Sequence, residues 1–455
     1  MKQVTLPIRS AALAAAAALT LSAPALAQDT PPVEEGEPGL AAQLGLEGEA
    51  PDPAMETALA VLDAAPVFDG HNDTPLQLRI RLKNQINRFD FNDTLISAKS
   101  DPFGRAMHTD IQRLRKGRVG AQYWSVYVPA NLPEPEAVKM TMEQIDVTKR
   151  LIDRFPDDLA YAETAGDVED AIADGKIAGL LGMEGGHSIS SDLGVLRQMY
   201  ALGARYMTLT HSKNTPWADS ATDAPVHGGL SEFGKDVVRE MNRIGMLVDL
   251  SHVSEETMID ALQVARAPVI FSHSGARSIT GHARNVPDSV LERLPVNGGV
   301  VMVVALPGFL NEDRRQWHSR WQAENARLEA LNQGRPDMVE AGMEEWTKAN
   351  LEPATLVSDM ADHIDHIRAI AGVEAIGIGA DFDGMPTGPV GFEDVSGYPA
   401  LFAELVRRGY SQAELEMIAS RNAIRVLRDV EAYAASQRGR APIETRIGDE
   451  AARGG

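Results

Sequence analysis

Two residues near the start of the chain, His71 and Asp73, offer an imidazole and a carboxylate two positions apart in the segment HND. Side chains at positions i and i+2 of a β-strand point to the same side, so both groups would face one point at a strand end. Such a pair can bind one ion of the zinc type. Taken alone, the pair is also compatible with a histidine that only bonds to a loop, so further ligands are needed.

Glu184 follows the apolar run AGLLGM and precedes two glycines that permit a sharp turn. A carboxylate on an apolar strand is costly to bury without a cationic partner, and a metal ion supplies one. Its two oxygens could bridge two ions, as in hydrolases that hold paired metals about 3.5 to 4 Å apart. His252 and His273, each preceded by a serine, end two later runs and would supply imidazoles to the second ion.

Three further residues could act on a substrate rather than on a metal. His211 ends the run YMTLTH and could be a ligand, or it could polarise a substrate carbonyl as a hydrogen-bond donor. Asp381 and Asp383 end the last run, and Asp381 is the better candidate to move a proton from an activated water to a leaving amine. Arg284 offers a planar fork that suits a substrate carboxylate, although lone loop arginines more often form surface salt bridges.

The elements that must position these groups are eight short apolar runs, which predict β-strands. Six of them end, at the C-terminal side, in a residue that can bind metal or move a proton, and segments with helical spacing lie between most of them. This arrangement predicts an α/β fold, a (β/α)8 TIM barrel with its active site at the C-terminal ends of the strands. The runs are 67–73, 121–129, 178–184, 206–211, 247–252, 269–273, 299–306 and 375–383.

A segment between the seventh and eighth runs, about residues 311–348, is rich in charge and in helix-forming residues. Trp317 and Trp321 lie four positions apart, on one face of the predicted helix. We interpret the segment as an added helical hairpin that packs on the barrel, forms a lid or contacts a partner.

The N-terminus has the layout of a secretory signal peptide: a basic start, an apolar run from Ala11 to Leu21 and a small-residue exit that ends at Ala27. We therefore expect a secreted, periplasmic protein. The predicted divisions are a signal peptide (1–27), a disordered acidic linker (28–55), the barrel domain (56–435) and a polar tail (436–455).

The amino-acid composition limits the kinds of covalent link, membrane anchor and binding partner that we expect. The absence of cysteine excludes disulfides and a lipid anchor attached to cysteine, and no other segment reaches the roughly 20 apolar residues of a membrane span. We therefore expect no membrane anchor. The net charge of −22 argues against nucleic acid, whose binding requires clustered lysine and arginine.

Several ordered segments together resemble the successive motifs of the membrane (renal) dipeptidase family of zinc peptidases. The resemblance extends over most of the chain and includes the helical segment near its end. The segments that carry it are HNDTPLQLR from His71, MEGGHSIS from Met183, YMTLTHSKNTPWAD from Tyr206, LVDLSHVS from Leu247, APVIFSHS from Ala267, ARNVPD from Ala283 and IGADFDG from Ile378.

This resemblance implies a barrel of the metal-dependent hydrolase type, here with a helical insertion between strands 7 and 8, and two zinc ions per chain bridged by a carboxylate. The residues it assigns to zinc are His71, Asp73 and Glu184 for one ion, and Glu184, His252 and His273 for the other. It assigns substrate binding to His211 and Arg284, with His211 also catalytic, and proton transfer to Asp381. The missing cysteines and the polar C-terminus depart from the mammalian enzymes, so a disulfide-linked dimer and membrane attachment do not carry over, while a homodimer without disulfides stays open.

The function expected from these residues is that of a dinuclear zinc dipeptidase acting on small dipeptides, with a D-residue among the candidates for the C-terminal position. The alternatives are a hydrolase of another small amide, such as a β-lactam or an N-acyl amino acid, and a zinc-dependent binding protein without turnover. His363 and His366 have metal-like spacing, but they lie in a helical stretch away from any strand end, so we expect packing or surface roles. His187 is expected to line the site without binding metal.

Overall fold

The structure is a computed structural model that describes residues 52–95 and 106–449. The predicted signal peptide, most of the predicted linker and the last residues of the predicted tail lie outside the described residues. Of these described residues, 52–94 and 107–449 form one compact unit. Its first helix begins at Pro53, inside the predicted linker, where the side chain of Asp52 caps the helix by accepting a hydrogen bond from the Ala54 N–H.

In the part of the chain that the structure describes, nine parallel strands form the sheet, and eight of them close into a barrel in the order β1-β2-β4-β5-β6-β7-β8-β9, with β9 pairing back to β1. The short strand β3 pairs only with the beginning of β4. The strands are β1 (Val67–Asn72), β2 (Val119–Ser125), β3 (Leu159–Tyr161), β4 (Ile177–Glu184), β5 (Ala204–Thr208), β6 (Leu247–Asp249), β7 (Ile270–Ser274), β8 (Val300–Val303) and β9 (Ile376–Ile378). The eight predicted runs correspond to the eight barrel strands, so the predicted TIM barrel is confirmed, and β3 is an addition that was not predicted.

Helices follow the strands and cover the outside of the barrel. The α-helices are α1 (Pro53–Ala64), α2 (Thr74–Leu82), α3 (Ile111–Lys116), α4 (Glu134–Arg154), α5 (Ala165–Ala173), α6 (Leu193–Ala201), α7 (Glu232–Ile244), α8 (Glu255–Val264), α9 (Asp288–Leu291), α10 (Leu294–Asn297), α11 (Pro307–Leu310), α12 (Glu312–Leu331), α13 (Pro336–Ala349), α14 (Val357–Ala371), α15 (Tyr398–Arg407), α16 (Gln412–Glu416) and α17 (Asn422–Ser436). Shorter helical turns are Gly186–Ile189, Val373–Ala375 and Met417–Arg421. Among the described residues, no helix is long and apolar enough to cross a bilayer.

The barrel is filled by side chains that alternate along the strands, as a closed parallel barrel requires. They form one apolar cluster that includes Phe68, Tyr123, Leu180, Tyr206 and Met302. Gly182 makes room for the largest of them near the top, because a methyl group at this position would overlap the ring of Tyr206. The missing side chain on β4 thus allows a tyrosine to stand directly below the strand ends.

The backbone departs from regular strand geometry where it presents the predicted site residues. The pairing register shifts in β1 between Asp69 and Asn72, and in β7 between Phe271 and Ser274. Such bulges turn side chains to a face that regular alternation would not give them. Strand β1 ends at Asn72, so Asp73 reaches the site from the first residue before helix α2 and not, as we predicted, by strand alternation.

The predicted helical insertion between the seventh and eighth barrel strands is confirmed as the pair α12 and α13. Each of these helices buries one residue, Trp317 in α12 and Met343 in α13. Trp317 donates its indole N–H to the carbonyl of Asn350 at 2.8 Å and packs against Trp346 with ring centroids 5.7 Å apart. The hairpin is therefore fixed near its base and presents mostly polar surface beyond it.

Candidate metal centre and substrate site

Glu184, the last residue of β4, lies at the centre of a buried group of imidazoles at the C-terminal end of the barrel. Its Oε1 atom is 3.0 Å from His252 Nε2 and 3.6 Å from His273 Nε2. Its Oε2 atom is 3.5 Å from His71 Nε2, which in turn lies 3.4 Å from Asp73 Oδ2. The two carboxylate oxygens therefore face two different sets of donor atoms.

The distances between donor atoms fit metal coordination. Ligand atoms bound tetrahedrally to zinc at about 2.0 to 2.1 Å are separated by about 3.3 Å. The separations around Glu184 fall close to this value, and His252 Nε2 lies 2.9 Å from His273 Nε2. Two of the buried donor atoms, His71 Nε2 and Asp73 Oδ1, have no hydrogen-bond partner among the described residues. A buried polar atom without a partner is energetically costly. Both the distances between the ligand atoms and these two unsatisfied atoms therefore fit a bound cation.

Hydrogen bonds behind the cluster orient its imidazoles. His71 Nδ1 lies 2.8 Å from the hydroxyl of Tyr206, and His273 Nδ1 lies 2.9 Å from the hydroxyl of Ser272. Ser272 in turn donates to Asp249 Oδ2 at 2.6 Å, and Ser125 donates to Glu184 Oε2 at 3.1 Å. A partner on Nδ1 leaves Nε2 free to bind metal, which is the usual arrangement around metal-binding histidines.

Sequence reasoning missed these four supporting residues. Their signal was present in the sequence, because Tyr206 and Asp249 are polar groups inside otherwise apolar strands, and Ser125 and Ser272 stand at or near strand ends. A buried polar group requires a partner, so each of these positions pointed to a hydrogen bond at the same end of the barrel.

Burial and charge set the protonation states of the cluster. Burial alone would raise the pKa of Glu184, but the adjacent His71, His211 and His252 hold it well below its ordinary value. Burial, together with the nearby charge of Arg284, lowers the pKa values of His252 and His273 well below their ordinary value. These two imidazoles are therefore neutral, which is the form that binds metal.

His211 lies at the outer side of the cluster, with its Nε2 atom 3.6 Å from Glu184 Oε1. Its ring packs against that of His252 at a centroid distance of 4.2 Å, and the centroid of the Tyr127 ring lies 4.8 Å away. Its side chain is 18% exposed. Because its side chain is partly exposed, His211 is placed to contact either a substrate or a bound metal ion.

Asp381 is the acid that faces the cluster, as expected. Its carboxylate, the imidazole of His71 and the carboxylate of Asp73 offer ligand atoms that lie within 4.8 Å of one another. Burial, and then the charges of Asp73 and Glu184, raise the pKa of Asp381 well above its ordinary value, whereas bound cations would act in the opposite direction. Asp383 is instead engaged elsewhere, because it accepts hydrogen bonds from the His108 N–H at 2.7 Å and from the Thr74 hydroxyl at 2.8 Å.

Arg284 is buried next to the cluster and does not form the surface salt bridge that was its simplest alternative. Its guanidinium makes two long contacts, 3.5 Å to Ser274 Oγ and 3.4 Å to the carbonyl of His273, and lies 5.5 Å from the ring of Phe309. Burial lowers its pKa to about 10, so it stays charged at neutral pH. It forms no ion pair with a described carboxylate and is available to an anionic group of a ligand.

The histidines that were set aside in the sequence lie outside the metal cluster. His363 is fully buried in α14 and bonds to the backbone of Ala276 and Leu310, while His366 pairs with Asp288 at 2.8 Å on a partly exposed face. His187 is buried near the site, with Nε2 3.3 Å from the carbonyl of Val128. None of the three belongs to a group of described residues that could hold a metal ion.

Comparison with known proteins places nearly the whole chain in one protein family. The family model described as membrane dipeptidase, peptidase family M19, matches residues 55–441. Dipeptidase 3 of Rattus norvegicus is 40% identical over 399 residues, which are 86% of this chain and 71% of that protein. Dipeptidase tcpJ of Claviceps purpurea is 38% identical over 425 residues, covering 87% of this chain and 89% of that protein.

Solved structures share the fold. The probable dipeptidase PvdM of Pseudomonas aeruginosa superimposes with a TM-score of 0.71 at 23% identity, over 85% of this chain and 100% of that chain. A metallo peptidase of Rhodobacter sphaeroides, liganded with a phosphinate mimic of the dipeptide L-Ala-D-Ala, superimposes with a TM-score of 0.66 at 24% identity, over 80% and 99% of the two chains. From the match of the family model and the identity to the curated relatives, we conclude that this chain belongs to peptidase family M19, the membrane dipeptidases.

Proposed function

We propose that this member of the family is a dinuclear zinc enzyme that cleaves the peptide bond of dipeptides. The observation that carries the proposal is the position of Glu184, whose Oε1 faces His252 and His273 while Oε2 faces His71. A carboxylate with a separate set of donors on each oxygen is suited to bridge two ions.

In this proposal, one ion is held by His71, Asp73 and Glu184, and the other by Glu184, His252 and His273. When bound, the pair of ions polarises the substrate carbonyl and lowers the pKa of water at the site. Imidazole and carboxylate ligands accept several divalent metals. The choice of zinc is therefore based on the near-tetrahedral spacing of the ligand atoms and on membership of the family.

Arg284 selects the substrate by its C-terminal end. Its charged and unpaired guanidinium lies beside the cluster, and a planar fork binds a carboxylate through two parallel hydrogen bonds. A carboxylate held there places the C-terminal peptide bond of the substrate near Glu184. This arrangement favours the C-terminal bond, which is the single peptide bond of a dipeptide, over the internal bonds of long chains.

His211 and Asp381 serve the reaction itself. His211 lies on the exposed side of the cluster, where its Nε2–H can donate to the carbonyl oxygen as that atom gains negative charge. Asp381 takes a proton from the attacking water at a carboxylate oxygen and gives it to the leaving nitrogen, so the C–N bond breaks and a neutral amine departs. One water is consumed, and two amino acids are released.

The alternative substrates differ from a dipeptide in the groups attached to the carbonyl carbon and to the nitrogen of the scissile amide. A β-lactam or an N-acyl amino acid also combines an amide with a carboxylate and could use Arg284 in the same way. The Rhodobacter sphaeroides protein, which shares the fold, was crystallised with a mimic of L-Ala-D-Ala. We therefore include a D-residue at the C-terminal position among the substrates that the site should accept.

A substrate panel tests the proposal. We expect the zinc-loaded protein to hydrolyse L,L- and L,D-dipeptides faster than tripeptides, N-acyl amino acids and β-lactams, and to contain two zinc ions per chain by elemental analysis. A chelator should abolish turnover, and added zinc should restore it. One ion in the fully active protein would contradict the dinuclear site, and turnover of amides without any dipeptide activity would favour the alternative hydrolases. Metal binding without turnover of any substrate in the panel would favour the third alternative, a zinc-dependent binding protein.

A mutant cycle tests the role of Arg284. If Arg284 binds the substrate carboxylate, Arg284→Ala should lower kcat/KM for a dipeptide by an amount equivalent to about 2 to 5 kcal/mol, but have little effect on the same dipeptide amide. Equal losses on acid and amide would assign Arg284 a structural role.

We also propose that the protein is exported and acts in the periplasm, on the basis of the charge and apolar pattern of residues 1–27. Mass spectrometry of the protein recovered from the periplasm of a bacterial host should find Gln28 as the first residue. A cytoplasmic protein that retains Met1 would contradict export.

A further inference from the structure

The loop 275–286 carries Arg284, and the backbone of this loop determines where the guanidinium lies. The two side-chain contacts of Arg284, at 3.4 and 3.5 Å, are too long to fix a flexible side chain strongly. The ring of Phe309 in α11 lies 5.5 Å from the guanidinium and stacks on His282 at a centroid distance of 4.1 Å. The site for the carboxylate thus depends on how this loop is held against α11.

His363 holds these two segments together from the helix behind them. Its Nδ1 accepts a hydrogen bond from the Ala276 N–H at 2.8 Å, and its Nε2 donates to the carbonyl of Leu310 at 3.1 Å. Ala276 belongs to the Arg284 loop, and Leu310 ends the helix that carries Phe309. With one nitrogen accepting and the other donating, the ring is a neutral imidazole that joins both sides.

Asn285 completes the connection next to Arg284. Its side-chain oxygen accepts from the Gly275 N–H at 2.9 Å, and its amide donates to the carbonyls of Thr280 at 2.9 Å and Phe309 at 2.8 Å. His363 lies against the same turn, because a side chain at Gly275 would overlap both Asn285 and His363. The loop is therefore fixed by side chains that bond to its backbone, while the guanidinium itself stays without a strong partner.

We propose that His363 is a positioning residue for substrate binding, which places Arg284 by joining the Ala276 and Leu310 backbones. This inference rests on the proposed role of Arg284 in binding the substrate carboxylate. His363 bonds to the backbone of Ala276 and Leu310 and belongs to no group of described residues that could hold a metal ion, so in this proposal it affects recognition of the C-terminal end without supplying a catalytic group. A small displacement of a binding group can cost about a hundredfold in rate, which makes such a residue detectable.

The test uses substitutions at position 363 that each keep part of the connection. In His363→Asn the amide oxygen can replace the acceptor near Ala276, and in His363→Gln the amide nitrogen can replace the donor to Leu310. His363→Ala removes both bonds and is included if it folds. His366→Gln is the matched control, because His366 lies three residues later on the same helix and its side chain bonds to Asp288 and not to Ala276 or Leu310.

We expect kcat/KM for a dipeptide to fall about ten- to hundredfold in His363→Gln and His363→Asn, mainly through a higher KM. For the corresponding dipeptide amide the change should be less than about twofold, and the zinc content should stay at the wild-type value. His366→Gln should behave as wild type. Calorimetry with a phosphinate dipeptide mimic should show weaker binding of the carboxylate form and unchanged binding of its amide.

Arg284→Ala, measured in parallel, separates the two proposals. If Arg284→Ala discriminates acid from amide but the His363 variants do not, the positioning role is wrong and the proposed function stands. If Arg284→Ala shows no discrimination, the proposed carboxylate site is wrong. Equal losses on acid and amide in the His363 variants, or loss of zinc, would show that His363 supports the barrel in general and would overturn the inference.

Discussion

At the level of single residues, the hydroxyl of Tyr206 decides which nitrogen of His71 is available. The hydroxyl lies 2.8 Å from Nδ1, and when it accepts the proton of Nδ1–H, the lone pair of a neutral His71 is on Nε2 and points to Asp73 and Glu184. Hydrogen bonds of this kind fix the tautomer and the orientation of a metal-binding ring. Tyr206 therefore contributes to metal binding although it is not a ligand.

Tyr206→Phe should keep the fold but weaken zinc binding about 10- to 100-fold, because the imidazole of His71 loses its orienting partner. The measurement is a zinc titration against a competing chelator, with circular dichroism as a check of folding. Tyr123→Phe is the matched control, since Tyr123 is also buried, packs against Tyr206 and has a hydroxyl without a hydrogen-bond partner among the described residues. Equal zinc affinity in both variants would show that the Tyr206 hydroxyl is not needed.

Asp381→Asn should retain two zinc ions and the wild-type melting temperature, yet lower kcat by about 10² to 10⁴-fold, because an amide keeps the shape of the acid and cannot carry the proton. Steady-state kinetics and elemental analysis on the same sample check both parts. Wild-type turnover in this variant would assign the proton transfer to another group, and loss of zinc would make Asp381 a ligand.

At this scale the sequence predicted which residues meet and not how. His71, Glu184, His252, His273, His211, Asp381 and Arg284 all lie at one end of the barrel, because each stands in the C-terminal part of a parallel strand or in the segment that follows it. Position alone could not show that Asp383 bonds to His108 and Thr74, or that His363 bonds to the backbone of Ala276 and Leu310, since these contacts join residues far apart in sequence.

At the level of secondary-structure elements, most barrel strands are shorter than the apolar runs that predicted them, and the site residues lie where regular pairing stops. His252, Asp381 and Asp383 have left-handed backbones, with φ values of 69°, 68° and 67°. Non-glycine residues rarely adopt this conformation, and it is found most often at functional sites. Strand β3 escaped prediction because three residues are too few to show alternation.

Gly182→Ala tests the link between strand packing and the site. The added methyl group would overlap the ring of Tyr206, and overpacking of this kind costs about 1 to 3 kcal/mol. We expect a lower melting temperature together with weaker zinc binding, because displacement of the Tyr206 ring would disturb its hydrogen bond with His71. Gly166→Ala on the exposed start of α5, where an added methyl group has space, should be neutral or stabilising. A Gly182→Ala protein as stable as wild type would show that the barrel interior adjusts at this level.

At the level of the whole molecule, the fold buries a histidine that has to stay neutral. Burial lowers the pKa of His363 from the ordinary 6.5 to about 4. Between these pH values the unfolded chain binds a proton at this residue and the folded chain does not. The contribution to stability is therefore complete above pH 6.5 and is lost as the pH falls towards 4.

The free energy of unfolding should accordingly decrease as the solution is acidified from pH 6.5 to 4, with about 3 kcal/mol arising from His363. Denaturant unfolding at several pH values, on wild type and on His363→Gln, isolates this part, because proton uptake at the metal ligands is common to both proteins. The variant should show a shallower pH dependence over this range. An identical slope would mean that His363 is protonated equally in the folded and unfolded states.

The isolated charge of Arg284 has one more consequence, for the course of the reaction. Of the two amino acids released, the C-terminal one keeps the carboxylate that we place at Arg284, so it should remain bound longest. The enzyme should then slow as its product accumulates, and the free C-terminal amino acid should act as a competitive inhibitor in initial-rate assays while its amide does not. In Arg284→Ala the difference between acid and amide should disappear. Equal inhibition by both in the wild type would mean that product release does not involve this arginine.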